Sequence, residues 1–500
     1  MRTTVLFSLL LAGIFLTTPE SKAEDKNSFQ FTTANAKAYS ELLKLRLSTG
    51  KMLLVESKES NDRYGGNGIT TYLENCHDVI QLLITEDEAL YDRFDEKAGE
   101  RLDMLEGMEE DSPYYLFVQA ELRMQWALVK LKFGKRLAAV NDGMNAYKLL
   151  KKNSGKYPGF IPNKKTLGAC KVLLGSLPKQ SRKWVRLFGL KGNVKEGMDD
   201  LQEVIDSDTP FALEAKVLKG FLSAYILGEH KDALKLFRSL AKQYPDNQLF
   251  YFATAVAAKH TGDARLALKM LENAPKGNAY CDFYFLDYLK AEACLLTGEY
   301  YKSIMYAKSF IQRFKGNNYR KDAYLKLFLA HWFINHPKAN DYLAKIREEG
   351  DDLVIPDKYA LKFAEAGYLP NKAITKARFL HDGGSYKEAM ALLEQVDLSS
   401  LHELRNQAEY YYRKARILHK IEKYAEAVQM YKQVLAICPK DFPHYYAGNA
   451  ALRLGTLHLE QYKDKKSARY YFNEVFTYEG HEYEISLNNR AKALLSTLDN

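Results

Sequence analysis

The chain has 500 residues, is 47% hydrophobic and 27% charged, and contains only 29 Gly and 13 Pro. That is a globular composition, long enough for several domains or one extended array. A formal charge of +9 is mild for this length and gives no argument for a nucleic-acid partner.

Residues 1–23 read as a cleavable signal peptide. Arg2 gives a charged start, Val5–Leu16 a short apolar core, and Ser21-Lys22-Ala23 the small residues before a cut ahead of Glu24. No cysteine follows the core, so a lipid-anchored type of signal is not expected. No later stretch approaches the ~18 uninterrupted apolar residues of a membrane helix. The expected address is periplasmic or secreted, with a mature charge of +8. Cys76, Cys170, Cys281, Cys294 and Cys438 are too sparse for a disulfide framework in such a compartment. They read as buried free thiols, and Cys281 and Cys294 are too far apart to bond if they share a helix.

Residues 24–112 form a helical N-terminal region, read as three helices. Ala34–Ser57 and Ile69–Ile84 carry apolar residues at helical spacing. The Tyr64-Gly65-Gly66-Asn67-Gly68 breaker lies between them, and with no strand before it, it is a turn rather than a phosphate loop. The third helix is acidic, with 12 carboxylates from Glu86 to Asp111 against Arg93, Lys97 and Arg101. Ser112-Pro113 ends it, because the residue before proline avoids the helical region. Residues 113–150 then make a degenerate hairpin with Phe133-Gly134-Lys135 at its turn and Ala127, Ala139 and Ala146 where helices must approach.

Residues 151–213 interrupt the pattern as a basic helical insertion. From Lys151 to Lys195 there are 12 Lys or Arg and no Asp or Glu. Two short helices are expected there, Leu167–Leu177 and Gln180–Leu187.

From residue 214 one phrase returns at nearly fixed spacing. Gly228-Glu229-His230, Gly262-Asp263-Ala264 and Gly298-Glu299-Tyr300 lie 34 and 36 residues apart, each between Ala-rich helical runs. Such a period marks a solenoid of helix–turn–helix units, since one hairpin cannot cover its own apolar face. The units are 214–245, 248–275, 284–315 and a worn 320–348, the array of 214–350. A C-terminal array over 351–500 holds 370–396, 408–439 and 448–479, with Ser486–Leu498 suited to capping the end.

The unit at 408–439 resembles a tetratricopeptide repeat. Ala415 falls at its eighth position, Tyr424 at the seventeenth, Ala427 at the twentieth, Tyr431 at the twenty-fourth and Pro439 at the thirty-second. The unit at 214–245 matches through Phe221, Ala233, Phe237 and Pro245. Small residues let paired helices touch, and the aromatic fills the gap to the next pair. The resemblance implies an all-α, right-handed helical-hairpin solenoid that binds a protein or peptide in its concave groove. A fainter likeness joins Leu167-Gly168, Leu173–Pro178, Gly189–Gly192 and Gly197 to a eukaryotic tetratricopeptide family of the mitochondrial outer membrane and inclusion-body clearance. The usual acidic residue after the second glycine is Asn193 here. That likeness implies shared architecture and no catalytic residue.

No catalytic, cofactor-binding or metal-ligating constellation emerges. HExxH, GxSxG and P-loop patterns are absent. His331 and His336, five apart, do not share a helix face, and His336 precedes Pro337 at a helix end. The candidate surface is Lys179, Arg182, Lys183, Trp184 and Arg186, with Phe188 beside them. Long basic stems around an indole suit an anionic membrane surface. The same cations also suit the acidic helix at 86–111, of net charge −9. Both readings stay open. The expected function is an exported, non-enzymatic scaffold for protein or peptide partners in the cell envelope, with a peripheral lipid-docking protein as the alternative.

Overall fold

The computed structural model describes residues 28–61, 66–178, 181–183, 186 and 189–498. The signal-peptide reading of 1–23 and half of the expected helix Gln180–Leu187 lie outside these residues. Among the described residues every regular element is a helix, and no strand is present. The chain divides into two compact units. The first runs to Ala293 and adds Tyr301–Trp332 and Pro337–Glu365; the second holds Cys294–Tyr300, Phe333–His336 and Ala366–Asn500.

The first unit begins with four helices where three were expected: α1 (Thr33–Leu43), α2 (Leu47–Asn61), α3 (Gly68–Thr85) and α4 (Glu88–Glu106). The expected helix Ala34–Ser57 breaks because Leu45 adopts φ 64°, a left-handed conformation that ends α1. Leucine periodicity runs straight through this corner, so the pattern alone hides it. Thr32 and Asn35 form a reciprocal capping box at the start of α1. α3 is buried on nearly every side, from Ile69 to Ile84, and its neighbours are α1, α2, α4 and α5 (Pro113–Lys132).

α5 and α6 (Arg136–Lys156) form the expected hairpin, with Gly134 at φ 76° in its turn. α7 (Asn163–Gly175) and α8 (Val194–Asp206) form another, and α8 was not expected from the sequence. The interruption therefore contains a helix pair of its own. It closes on glycine: a Cβ on Gly168 would stand 2.8 Å from the carbonyl oxygen of Gly197, and one on Gly175 2.8 Å from the Val194 nitrogen.

The hairpins that follow are α9 (Ala212–Leu222) with α10 (His230–Gln243), α11 (Gln248–His260) with α12 (Ala264–Glu272), and α13 (Phe285–Thr297) with α14 (Tyr300–Arg313). α15 (Arg320–Phe333) and α16 (Ala339–Glu348) come next, then an unexpected α17 (Ile355–Glu365). Gly220 gives Phe237 its seat, since a Cβ there would meet the ring at 2.8 Å, and Phe221 packs on the same ring at 4.7 Å. Cys281 precedes α13 rather than sharing it with Cys294.

First and second helices of these hairpins differ in burial. Among the second helices, α10 buries Ala233, Phe237, Leu240 and Ala241, a single stripe. Among the first, α11 is buried without a break from Phe252 to Ala258. The N-terminal region meets the starts of these first helices and the turns before them. The α1–α2 corner accepts a hydrogen bond at the Lys44 carbonyl from the Gln248 backbone (3.3 Å) and at Leu45 from Cys281 (3.1 Å); Ser48 donates to Ala279 (3.2 Å). Glu86, at the end of α3, accepts from the Asn318 amide (2.6 Å) and pairs with Lys132 (2.7 Å).

The second unit stacks α18 (Lys372–Asp382) with α19 (Tyr386–Glu394), α20 (Leu404–Lys420) with α21 (Tyr424–Ile437), and α22 (Tyr446–Glu460) with α23 (Lys465–Glu474). α24 (Glu484–Leu498) closes the series against α22 and α23. The small residues do what the repeat pattern requires: Ala415 and Ala427 are fully buried, and Tyr431 packs inside its own hairpin against Tyr412 at 6.3 Å.

Candidate functional site

Among the candidate surface residues, Lys179 and Trp184 lie outside the described residues, as does Phe188. Arg182 is half-buried, and Lys183 and Arg186 are exposed. Much of the wider basic block meets carboxylates. Lys171 pairs with Asp200 (2.6 Å) and Glu196, Lys164 with Glu203, and Lys195 with Asp199 (2.7 Å), all on α8. The acidic segment 86–111 draws one of these cations, Lys156, which reaches Asp111 at 3.6 Å. The partners sit just past the acid-free stretch, within α8.

Lys165 has a different place. It is 1% exposed, and its ammonium touches Glu121 of α5 and Glu214 of α9, each at 2.8 Å, with the Phe211 ring 5.1 Å away. Tyr39 of α1 donates to Glu214, and Thr166 donates to Glu121. Burial alone would pull the ammonium's pKa down; the charges of Glu121 and Glu214 more than reverse that and hold it above its ordinary value. Glu214 is raised, chiefly by burial and further by Glu121. Two carboxylates around one ammonium, all three buried, make a structural tie among four helices. Sequence reasoning placed Lys165 in a solvated block, because its partners lie 44 and 49 residues away.

In the second unit, charge gathers on the first helices. Arg413 of α20 is buried, donates to Glu409 (2.8 Å) and the Tyr445 hydroxyl (3.0 Å), and lies over the Tyr412 ring at 5.3 Å. Burial raises the Glu409 carboxyl, but Arg413, Arg378 and Arg405 outweigh it and hold its pKa below the ordinary value. Arg416 reaches Asp382 at 3.4 Å, and Arg405 lies 4.2 Å over Tyr368. His419 is pulled down to about 4 by burial first, then by Arg453, Lys420 and Arg416. Arg378, Arg405, Arg416 and Arg453 are all half-exposed. Their periodicity is that of α18, α20 and α22, so a scan for charge runs passes over them.

The cysteines hold no chemistry of this kind. All five are free, and burial pushes the thiols of Cys76, Cys170, Cys281 and Cys438 up to about 12, far from thiolate at neutral pH. Among the described residues no three His, Cys, Asp or Glu side chains converge as a metal site. His331 is buried and bonded to the Leu327 carbonyl.

Residues 214–247 match the family model of the tetratricopeptide repeat. Over these residues the chain carries a tetratricopeptide repeat. Among solved structures, the TPR domain of P58(IPK) is 18% identical over 85% of this chain and 98% of its own, with a TM-score of 0.22. The APC/C hetero-tetramer Cut9-Hcn1 is 15% identical over 93% of this chain and 100% of its own, with a TM-score of 0.26. Scores that low leave the arrangement of the hairpins to be read from this chain alone. No curated protein matches it in sequence.

Proposed function

We propose that the chain is an exported, non-enzymatic scaffold whose protein partner docks carboxylates on the first-helix face of the second unit. One observation supports this above others. Arg378, Arg405, Arg416 and Arg453 stay half-exposed near Glu409 and Asp382, whereas in the first unit the chain's own N-terminal helices meet the starts of the first helices and the turns before them. Stacked repeats offer such a face to peptides, and planar guanidinium groups suit carboxylates.

The test is a photo-crosslinking residue at Lys420, exposed beside this cluster, in intact cells. A discrete adduct that disappears with R416E/R453E is expected, and an adduct indifferent to those reversals overturns the reading. Export is tested separately: the mature protein should begin at Glu24 and fractionate with the periplasm or medium. The lipid-docking alternative draws on the exposure of Lys183 and Arg186. It predicts salt-sensitive sedimentation with anionic vesicles that K183E/R186E abolishes.

A further inference from the structure

All three basic residues of α4 fall at one helical spacing, Arg93, Lys97 and Arg101, on a helix that is otherwise strongly acidic. Like charges four apart repel, so local helix energetics do not favour that stripe. The structure shows where it points. α2, α3 and α4 enclose an open trench of about 550 Å³, and all three cations line it. Lys51 and Lys58 of α2 line the opposite wall. Of the α4 carboxylates, Glu100 also lines the trench, so five cations there face Glu74, Asp78 and Glu100, while Asp95 meets Lys130 at 3.5 Å and Glu106 meets Arg123 at 3.0 Å, both on α5.

We propose that this trench takes a short acidic, amphipathic segment of a partner protein. Its floor is α3 from Thr71 to Gln81, about 15 Å of helix at ~1.5 Å per residue. That length matches two to three turns of a docked helix. The floor's own carboxylates are already engaged. Asp78 binds His77 (3.0 Å) and Arg101 (2.8 Å), and Glu74 lies 3.6 Å from Lys58. Lys51, Arg93 and Lys97 meet no carboxylate within ion-pair distance among the described residues; Arg93 and Lys97 lie over the Phe94 ring instead. Beside them Val55 is 49% exposed and Met104 47%. Three unmatched cations around exposed apolar side chains call for an apolar stripe flanked by carboxylates. A cationic segment meets repulsion there, and an uncharged one leaves the cations desolvated. The trench lies in the first unit, so the inference stands apart from the reading of the second unit's arginines.

The probe is a synthetic amphipathic peptide with leucines at helical spacing and glutamates flanking them. Its twin carries lysines in place of the glutamates. Binding to the full mature chain is read from the methyl resonance of Met104, with exposed Met305 of α14 as control. The glutamate peptide should shift Met104 and leave Met305 still, with affinity at least tenfold weaker in R93E/K97E and intermediate in K97Q. Both positions are exposed, so an unchanged helical circular dichroism signal separates lost binding from lost fold. A Met104 resonance indifferent to the glutamate peptide, equal binding of the lysine twin, or an affinity unmoved by R93E/K97E overturns the proposal. Phosphatidylglycerol vesicles that shift Met104 with the same charge dependence, where the peptide does not, also overturn it and assign the trench to lipid.

Discussion

The two units use one building block to opposite ends. In the first, the α1–α2 corner and the end of α3 meet the starts of the first helices and the turns before them, and a buried ammonium ties α1, α5, α7 and α9 together. In the second, the corresponding helices keep half-exposed arginines. The lesson is that a repeat stack is a binding surface only where the chain does not cover it. The repeat signature is equally clear at 214–245 and 408–439, so the signature by itself does not say which stack is available.

The sharpest way to break this comparison is to remove its tie. K165M strands two buried carboxylates and should cost the first unit about 3–5 kcal/mol, read as an earlier urea transition. R413M strands Glu409 in the second unit and should lower that unit's transition instead. If both variants move one shared transition, the units are not independent in stability.

Overpacking comes next. G197A drives a methyl against the backbone of Gly168 and Val172, which has nowhere to go, and should cost about 1–3 kcal/mol. G455A meets the ring of Phe472, a side chain that yields, and should lower its unit's thermal midpoint by less.

The units should also differ in pH response. Asp357 in the first accepts backbone hydrogen bonds from Tyr319 and Asp322, yet burial, with the Asp322 charge adding to it, pushes its carboxyl up to about 8. The native state then holds a proton that the unfolded chain gives up above about pH 4. Relative to D357N, the first unit should lose stability as pH rises from about 4 to about 8. His419 in the second unit has the opposite sign. Its native state refuses a proton that the unfolded chain takes below about pH 6.5, so relative to H419Q stability falls as pH drops from about 6.5 to about 4. Equal slopes for wild type and variant would remove either assignment.

The smallest effect is expected at Lys195, whose pairing with Asp199 is fully exposed. K195A should leave the melting midpoint of either unit where it was.

How much was legible divides along physical lines. Helix type, the turns at Gly134, Gly228, Gly262 and Gly298, and the buried alanines of each hairpin follow from periodicity and from glycine's tolerance of positive φ. The corner at Leu45 was not legible, since a left-handed leucine between leucine-rich runs leaves the apolar pattern intact. Nor was α8, which sits at the edge of a stretch whose charge, not its periodicity, dominated the reading. Of the basic block, Lys183 and Arg186 are exposed, while Lys164, Lys165, Lys171 and Lys195 pair with carboxylates.

By itself, the sequence determined that this protein is helical and built from hairpins in a set phase, because those properties rest on contacts between residues three to about thirty-four positions apart. Only the tertiary structure decided which first helices the N-terminal region meets, where Lys165 finds its charges, and that the cations of α4 face a trench. Those outcomes depend on pairs such as Tyr39 with Glu214, 175 residues apart, and Glu86 with Asn318, 232 apart. No local pattern encodes a partner that distant; packing selects it.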